Sequence, residues 1–450
     1  MIVALLSCGA APAPRDQIDT TISVGSAQAH AIPSNSVGFN IEMAFSCQLL
    51  TLDAANQSYF EQLFKNLGAA TLHFNGHSAD LATWQSSGSY SCSSNNTIVT
   101  PSLVDALVGF TQRIGWKMVW GLPLISDNPS MDASEAAYVS SSAGGTLAAF
   151  NIGNEAESYV SKGYRPSGWG ASNYLSEWQA VESAVLNAVP GAKFDAPDVG
   201  GTSSLYASFA SGDAGDPALA ALSHHFYIPQ TPQTIDTMLA ESTLSSFLSS
   251  VSSWQSATSL PFVLSEVNTY SNGGISGVTN TLAASMWLLD ASLATAYQGV
   301  AGIDIQQSGS IPYDTIDPNA GTPSGLYYGL LLAHTMMRLG TFDALSLSTT
   351  HNLDAYAINV SDGSLRVIIV NKDASDALVQ ITTPQNYTSG SYYTLAGPSL
   401  DATSGITLDG RTVSSSGTWS ANNTTPITVN GNQVAITAPA GTALALTVTP

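Results

Sequence analysis

Short apolar, β-rich segments alternate with helical segments along most of this chain, and this alternation limits its fold more than any other feature. Eight β-rich segments occur, at residues 37–43, 70–74, 117–124, 149–153, 192–199, 221–228, 261–267 and 300–305. Stretches with helical periodicity lie among them, at residues 55–67, 103–114, 172–188, 234–251, 279–296 and 326–339. Eight strands that alternate with helices predict an α/β fold, a (β/α)8 TIM barrel, whose catalytic residues lie at the carboxyl ends of the strands.

The pattern changes after about residue 340 to short alternating runs separated by Asp-Gly, Ser-Gly and Asn-Gly turns. Such runs are typical of antiparallel strands. They predict a C-terminal antiparallel β-sandwich domain at residues 341–450, after a catalytic barrel at residues 31–340. Residues 15–30 are predicted to add a strand to the sandwich. Residues 1–14 are similar to the apolar end of a secretion signal, although the usual basic start is missing.

Two of the predicted barrel strands, the fourth and the seventh, end in glutamate. Glu155 closes Phe-Asn-Ile-Gly-Asn-Glu (150–155) and Glu266 closes Pro-Phe-Val-Leu-Ser-Glu (261–266). A single glutamate at a strand end is more often a solvated loop residue. Two carboxylates at one cleft, however, can break a glycosidic bond: one protonates the leaving oxygen and the other attacks the anomeric carbon, about 5 Å away in retaining enzymes. The pair therefore predicts Glu155 as acid/base and Glu266 as nucleophile.

The charge balance excludes several classes of partner. The chain has 32 acidic residues against 11 Lys and Arg, a net charge of −21. Such a surface repels nucleic acid, heparin-like polymers and anionic lipid, so none of these is an expected partner. No apolar run reaches the roughly 18 residues that span a bilayer, so no membrane association is expected. The low charged fraction, with abundant Ser, Thr, Gly and Asn, predicts a secreted, extracellular protein that works in a mildly acidic medium.

The cysteines and sequons carry expectations for a secreted chain. Because Cys8 lies in the signal-like segment, a disulfide is predicted between Cys47 and Cys92; two unpaired buried thiols are the alternative. Sequons predict glycosylation, if the source is eukaryotic, at Asn56, Asn95, Asn359, Asn386, Asn422 and Asn423. The spacing of Cys and His offers no zinc pattern, and neither a metal nor another cofactor is implied.

Four parts of the sequence carry a resemblance to a known family. They are Asn-Ile-Gly-Asn-Glu (151–155), Ser-His-His-Phe-Tyr (223–227), Ser-Glu-Val-Asn-Thr-Tyr-Ser-Asn-Gly-Gly (265–274) and Tyr313. Through them the chain resembles the glycoside hydrolases of clan A, and within that clan family 79, the β-glucuronidases and heparanases. The Asn-Glu pair and the strand-seven glutamate are common to the clan, whereas the His-His-aromatic-Tyr and Gly-Gly segments narrow the resemblance to the family. The resemblance extends over both the predicted barrel and the predicted sandwich.

The resemblance implies a binding site for the carboxylate of glucuronic acid. In that family, backbone amides of a glycine loop and tyrosine hydroxyls hold the carboxylate; here Gly273 and Gly274 would supply the amides, and Tyr270 and Tyr313 the hydroxyls. No Lys or Arg occurs between residues 193 and 338. An anionic sugar bound there must therefore be held largely by neutral donors, which converging amides can provide. Without the resemblance, the two glycines would be interpreted as an ordinary loop.

Further contacts follow for the sugar and the nucleophile. Asn154, next to the acid/base, is expected to hydrogen-bond the sugar 2-hydroxyl. The resemblance implies that Tyr227 donates to the nucleophile and lowers its pKa, with His225 supporting the site. Alternation along strand six places these two side chains on one face, although a structural role for the histidine is an alternative. Glu42 would contact the distal hydroxyls of the sugar.

One segment departs from the family pattern. Where the family often has Leu-Arg-Phe-Gly-Gly after strand two, this chain has Leu-His-Phe-Asn-Gly-His-Ser at residues 72–78. His73 takes the place of the arginine, so a basic group near the nucleophile becomes dependent on pH, which predicts an acidic optimum. His77 and Ser78 are candidates for contacts to sugar hydroxyls.

These expectations combine into a secreted, retaining exo-β-glucuronidase. Its substrate partner would be a plant glycan or small glucuronide with terminal β-D-glucuronic acid, with or without a 4-O-methyl group. Three alternatives stay open. An endo-acting heparanase-like hydrolase would need a cleft lined with Lys and Arg; another clan A β-glycosidase would act on a neutral glycan; a catalytically inactive carbohydrate-binding protein would belong to a different class.

Overall fold

A closed barrel of eight parallel strands forms the first part of the protein. The computed structural model describes residues 18–33, 35–90, 98–201, 204–421 and 424–450. One strand, β1 (Thr20–Ala31), precedes the barrel, whose own strands are β2 (Val37–Glu42), β3 (Thr71–Asn75), β6 (Lys117–Leu122), β7 (Leu147–Ile152), β8 (Phe194–Val199), β9 (Leu219–Phe226), β10 (Phe262–Val267) and β11 (Gly302–Gln307). Parallel pairing of β11 with β2 closes the barrel. Two short strands, β4 (Thr83–Trp84) and β5 (Ile98–Val99), pair in a loop.

Helices connect the barrel strands. They are α1 (Met43–Ala55), α2 (Gln57–Asn66), α3 (His77–Asp80), α4 (Pro101–Ile114), α5 (Pro129–Ala143), α6 (Ala171–Ala188), α7 (Ser204–Asp213), α8 (Ile235–Leu239), α9 (Glu241–Gln255), α10 (Leu282–Tyr297) and α11 (Gly325–Met337), with 3₁₀ turns at Gly144–Thr146 and Ala156–Ser158. Local signals set their ends: Thr100 caps α4 by accepting from the Leu103 amide, and Gly115 ends it at φ 79°. No helix in the described ranges combines the length and apolar character needed to cross a membrane.

The second part is a curled, mainly antiparallel sheet of eleven strands. Besides β1 it contains β12 (Gly340–Ser348), β13 (Leu353–Val360), β14 (Leu365–Asn371), β15 (Ala377–Thr382), β16 (Ser389–Ala396), β17 (Thr407–Leu408), β18 (Thr425–Pro426), β19 (Val429–Asn430), β20 (Gln433–Ala438) and β21 (Thr442–Thr449). Strand β1 pairs antiparallel with β12 and parallel with β15. Alternate side chains such as Val367, Ile369 and Leu446 form its separate core. The predicted fold class, a TIM barrel with a C-terminal antiparallel β-domain, is confirmed.

A buried ion cluster joins the two parts. Lys372, at the end of β14, lies 2.8 Å from Asp290 on α10 and also pairs with Asp354 on β13. The hydroxyl of Tyr356 donates to Asp290 Oδ1 at 2.5 Å. The side chains of Lys372 and Asp290 are each only 2% exposed. A charge buried this deeply is tolerated because it is paired and hydrogen-bonded, so the cluster ties the sheet to a barrel helix.

The predicted modification sites are only partly within the described residues. Cys47 is buried in α1, whereas Cys92 lies outside the described residues, so their pairing stays a prediction. Three sequon asparagines, Asn56, Asn359 and Asn386, are exposed. The other three, Asn95, Asn422 and Asn423, lie outside the described residues, as does the signal-like segment 1–14.

Candidate active site

Glu155 and Glu266 lie together at the carboxyl end of the barrel. Glu155 follows β7, the fourth barrel strand, and Glu266 is on β10, the seventh. One oxygen of each lies within 4.8 Å of the other, close to the roughly 5 Å separation of carboxyl groups in retaining glycosidases. The side chain of Glu155 is 29% exposed and that of Glu266 is 8% exposed. The cleft thus opens on the side of Glu155.

Neutral donors surround Glu266. The Tyr227 hydroxyl donates to its Oε1 at 2.6 Å, and Asn40 Nδ2 reaches its Oε2 at 3.4 Å. Tyr313 is 3% exposed, and burial together with the nearby charge of Glu266 raises the pKa of its hydroxyl. Donors that face a carboxylate favour its ionised form. The donors Tyr227 and Asn40 therefore suit a carboxylate nucleophile.

His225 lies between three carboxylates. Its Nδ1 is 3.3 Å from Glu155 Oε1 and 3.9 Å from Glu266 Oε2, and its Nε2 is 3.5 Å from Asp198 Oδ2. Burial opposes the charged form, but the charges of Glu266 and Asp198 outweigh it and raise the pKa of His225 well above its usual value. His225 and the two glutamates could geometrically hold a metal ion, since one ligand atom of each lies within 4.8 Å of the others. A metal ion there would have to displace the proton that the raised pKa of His225 favours.

The two glutamates titrate as a coupled pair because they face the same imidazolium. Burial raises the pKa of Glu266 to about 7, against the opposing charge of His225. For Glu155, burial is outweighed by the hydrogen bond and the charge of His225, so its pKa lies below the usual value. Of the two, Glu266 therefore keeps a proton to higher pH in the empty site, whereas an acid/base role for Glu155 requires a proton on Glu155 when substrate is bound.

A hydrogen-bond network fixes the backbone beside Glu155. The amide of Asn154 donates to Asp80 Oδ2 at 3.2 Å, and its Oδ1 accepts from Asn75 Nδ2 at 3.4 Å. Asp80 also accepts from the Tyr159 hydroxyl and from the Leu124 amide. Asn154 is 3% exposed. The amide side chain predicted to bind the sugar is thus anchored by two residues, Asp80 and Asn75, that the sequence did not single out.

The residues predicted to contact sugar hydroxyls lie along the end of β2 and the start of α3. Glu42 Oε1 accepts from the Ser78 amide at 2.6 Å, and Gln306 Nε2 donates to Glu42 Oε2 at 3.2 Å. Ser78 Oγ accepts from the Ala44 amide at 2.8 Å, and His77 Nε2 is 3.3 Å from the Tyr164 hydroxyl. The charge of Glu42 is close enough to raise the pKa of Glu266. Glu42, His77 and Ser78 thus lie together on the side of the glutamate pair that is formed by the end of β2, the first barrel strand.

The glycine loop packs against the segment that carries Tyr313. Gly273 and Gly274 have φ values of 79° and 78°, in the left-handed region. The Ser310 hydroxyl donates to the Gly273 carbonyl at 2.7 Å, and a Cβ at Gly274 would lie 3.1 Å from Tyr313 Cβ. Only glycine adopts these angles without strain and leaves room for Tyr313. The loop and Tyr313 therefore lie together as one surface beside Glu266, and the Gly274 amide donates to the Ser271 carbonyl at 3.4 Å in the empty site.

Tyr270 does not join that surface, and its predicted role is corrected here. The side chain is fully buried, and its hydroxyl donates to the Thr234 carbonyl at 2.9 Å. A phenol has one proton to donate. Because this proton is given to the backbone, the hydroxyl cannot donate to a substrate carboxylate.

His73 lies beneath the site and does not line it. It is 1% exposed, with Nε2 3.7 Å from Asp198 Oδ2 and Nδ1 3.9 Å from Asp304 Oδ2. Burial lowers the pKa of His73, although the charge of Asp198 acts in the opposite direction. His73 is thus a buried group with a lowered pKa, and the imidazole beside Glu266 is that of His225, whose pKa is raised.

Comparisons with known proteins agree with this architecture. No protein-family model matches the chain. A β-glucuronidase of Aspergillus niger is 24% identical over 263 residues, which cover 51% of this chain and 48% of that protein, so the match spans about half of the relative. A 4-O-α-L-rhamnosyl-β-D-glucuronidase from Fusarium oxysporum 12S has a similar structure, with a TM-score of 0.78 at 20% identity, covering 96% of this chain and 100% of that one.

More distant structures share the fold as well. A GH51 arabinofuranosidase from Xanthomonas axonopodis pv. citri has a TM-score of 0.70 at 14% identity, covering 96% of this chain and 100% of that one. A bifunctional glucanase-xylanase from a metagenome library has a TM-score of 0.68, also at 14% identity, with coverage of 96% and 99%. Together, these structures show that the chain shares their fold.

Proposed function

We propose that this protein is a retaining β-glucuronidase. The observation that carries the proposal is the pair of Glu155 and Glu266, with oxygens within 4.8 Å of each other at the ends of strands four and seven. This separation suits attack by one carboxylate while the other protonates the leaving oxygen. The names of the Aspergillus relative and the Fusarium structure, both glucuronidases, support glucuronic acid as the sugar.

In the first step Glu266 attacks the anomeric carbon and Glu155 protonates the departing oxygen. Binding of the sugar must therefore move the proton of the pair from Glu266 to Glu155. Tyr227 and Asn40 remain as donors to the ionised Glu266, while the glycosidic oxygen approaches Glu155 as a proton acceptor. The product of this step is a glycosyl ester on Glu266.

In the second step Glu155, now ionised, removes a proton from water, which attacks the glycosyl ester. The exposure of Glu155, 29% against 8% for Glu266, gives water and the departing aglycone a route on that side. The positive charge of His225, 3.3 Å from Glu155 Oε1, stabilises the ionised base. The sugar keeps its β configuration because the anomeric carbon is inverted twice.

The carboxylate of the sugar would be held without a formal counter-charge. Gly273, Gly274 and the Tyr313 hydroxyl form the surface beside Glu266, and no Lys or Arg occurs between residues 193 and 338. Amide and hydroxyl donors that converge on an anion stabilise it by several partial charges. A neutral pyranose lacks the carboxylate that these donors would bind, which favours the glucuronide over the glucoside.

Exo-action is part of the same proposal. Tyr313 and Ser78 are 3% and 9% exposed, whereas the side chain of Glu155 is 29% exposed, which supports a site that is open mainly beside Glu155. A pocket with one open side takes a terminal sugar and leaves the aglycone in solvent. Secretion is likewise proposed, from the acidic composition and from the exposure of Asn56, Asn359 and Asn386.

Hydrolysis of 4-nitrophenyl β-D-glucuronide, β-D-glucoside and β-D-xyloside tests the substrate class. We expect kcat/KM for the glucuronide to exceed that for the other two by about 10³-fold, since a site built for a polar group rejects analogues that lack it. Proton NMR should show β-glucuronic acid as the first product. Preference for the glucoside would indicate a neutral glycosidase, an α product would exclude retention, and absence of turnover would favour a carbohydrate-binding protein. The rate of hydrolysis of the 4-O-methyl glucuronide shows whether the site accepts a methyl group on O4 of the sugar.

A further inference from the structure

We propose that Asp198 is a positioning residue that holds Glu155, His225 and the segment of Glu266 in one fixed arrangement, and that it supplies the constant counter-charge of His225. This inference rests on the proposed function. Asp198 lies at the end of β8, the fifth barrel strand, with φ 53° and no solvent exposure. An aspartate in the left-handed region at a fully buried position is uncommon, and such strain persists only where the surroundings impose it.

Four hydrogen bonds fix Asp198. Its Oδ2 accepts from Asn75 Nδ2 at 2.6 Å, and its Oδ1 accepts from the Ser265 hydroxyl. Its amide donates to Ser223 Oγ at 3.0 Å, and its carbonyl accepts from the Glu155 amide at 2.8 Å. The four partners come from β3, β10, β9 and the loop after β7, so one buried residue connects much of the barrel mouth.

Each connection ends at a reacting group or next to one. The Asp198 carbonyl holds the backbone of Glu155 directly. Asn75, oriented by the Asp198 carboxylate, reaches Asn154 Oδ1 at 3.4 Å. Ser265 immediately precedes Glu266 in the chain. A displacement of Asp198 would therefore move the acid/base, the amide beside it and the strand of the nucleophile together.

The charge of Asp198 has a separate effect on His225. Of the three carboxylates around that ring, Glu155 and Glu266 change state during double displacement: one gives up and regains a proton, and the other becomes an ester. Asp198, 3.5 Å from His225 Nε2, takes no part in those steps. It is therefore the only one of the three whose charge is present throughout the cycle.

The other groups that face these side chains do not replace that charge. His73 lies 3.7 Å from Asp198 Oδ2, with Asp304 beyond it. Asp195 is close enough that the charge of Asp198 raises its pKa, to about 7 once burial is included. His224, whose ring stacks on Trp254 at 3.7 Å, has its Nδ1 2.7 Å from the backbone carbonyl oxygen of His225 and does not reach Asp198.

Asp198→Asn is the test, with Asp195→Asn as the matched control from the same strand. The β-D-glucuronides of phenol and 2,4-dinitrophenol are compared, because only the phenol needs protonation by Glu155 as it leaves. We expect Asp198→Asn to lower kcat about 10²-fold for the phenol glucuronide, as expected for a misplaced reacting group, and less than 10-fold for the dinitrophenol glucuronide.

The pH profile is the second readout. The acidic limb of the profile of kcat/KM against pH should move up by about one pH unit, because Glu266 loses the stabilising charge of His225. Asp195→Asn should change neither property. A kcat for the phenol glucuronide equal to that of the wild type, or an acidic limb at the wild-type position, would overturn the proposal.

A second measurement separates this inference from the proposed function. If the wild type prefers another glycoside, the same comparison is made with the phenyl and 2,4-dinitrophenyl glycosides of that sugar. The ¹⁵N chemical shifts of the His225 imidazole are assigned as the signals that disappear in His225→Gln. They can be measured in the wild type without any enzymatic activity. We expect both ring nitrogens to carry protons at pH 7 in the wild type and, where Asp198→Asn folds, one to be lost by that pH in the variant. A neutral His225 in the wild type at pH 6 would overturn the proposal.

Discussion

The hydroxyl of Tyr227 donates to Glu266 Oε1 at 2.6 Å, so that a side chain of strand six stabilises the ionised carboxylate of strand seven. This bond lowers the pKa of Glu266 against the larger, raising effect of burial. Tyr227→Phe removes the donor without changing the ring. The pKa of Glu266 should then rise further, and the acidic limb of kcat/KM should shift upward.

We expect Tyr227→Phe to lower kcat by about 10- to 100-fold, the loss of one charge-stabilising donor (roughly 1.5–3 kcal/mol). A pH profile of 4-nitrophenyl glucuronide hydrolysis measures both effects. Tyr270→Phe is the control, because its hydroxyl binds the Thr234 carbonyl, and its kinetics should match those of the wild type. A rise in KM for the glucuronide in Tyr270→Phe would restore the role in substrate binding that this geometry argues against.

Gly274→Ala should weaken binding of the sugar carboxylate. A Cβ at this position would overlap Thr279 Oγ1 and lie 3.1 Å from Tyr313 Cβ, at a φ of 78°. The loop must therefore shift, and KM for the glucuronide should rise by at least 10-fold, about 1.4 kcal/mol. Gly277 has the same φ of 78° but open space around its Cβ position. Gly277→Ala carries the backbone strain alone, so an equal KM in the two variants would show that strain, and not the carboxylate surface, is responsible.

Glu266→Gly should lack turnover but recover it with azide. Removal of the carboxylate leaves space beside the anomeric carbon, and Glu155 can still protonate the leaving group. Azide would then attack from the side of the missing carboxylate and give the α-glucuronyl azide, which NMR identifies. An unimpaired kcat in Glu266→Gln would contradict the nucleophile assignment, since an amide cannot form the ester intermediate.

Local patterns in the sequence were sufficient for the barrel and its carboxylate pair, because strand period and strand order decide which residues reach the barrel mouth. The alternation over residues 223–227 placed Tyr227 and His225 toward the site, and His224 accordingly stacks on Trp254 outside it. Tyr270 was misplaced because its hydroxyl partner, the Thr234 carbonyl, lies in a different loop. No local signal indicates such a partner.

Asp198 was missed for a related reason. In the sequence it is an ordinary aspartate in Phe-Asp-Ala-Pro-Asp-Val (194–199), at the end of a predicted strand. Its importance comes from partners on three other strands, Asn75, Ser223 and Ser265. His73 was likewise predicted as a basic group near the nucleophile, but burial keeps it largely neutral. Contacts between strands, and not local periodicity, decide both outcomes.

Buried carboxyls on α5 should make the protein more stable in acid than at neutral pH. Burial raises the pKa of Asp132 to about 8 and that of Glu135 to about 7. Between pH 4 and these values the folded state holds protons that the unfolded chain releases. Stability is therefore full below about pH 4 and is lost as the pH rises through 7 to 8.

Urea denaturation at pH 5 and pH 8 measures this loss, which should exceed about 2 kcal/mol, the equivalent of 1.5 pKa units. Asp132→Asn should reduce the loss, because an amide replaces the protonated acid in a site where neither carboxyl oxygen has a hydrogen-bond partner among the described residues. Asp401→Asn, at an exposed position in the C-terminal part of the protein, should keep the wild-type dependence. Greater stability at pH 8 than at pH 5 would contradict the assignment of these buried acids.

Lys372→Met should weaken the junction between barrel and sheet. Lys372 pairs with Asp290 on α10 and Asp354 on β13, and burial of its side chain is nearly complete. Removing the cation leaves two carboxylates facing each other, a change that typically destabilises by about 3–5 kcal/mol. Lys65→Met is the control: that side chain is 40% exposed and pairs with Glu61, so this variant should lose no more than about 1 kcal/mol of stability.

Because the cluster connects the two parts, denaturation of Lys372→Met followed by fluorescence and circular dichroism should separate into two transitions. A single transition with a loss no larger than that of Lys65→Met would show that apolar packing alone holds the sheet on the barrel.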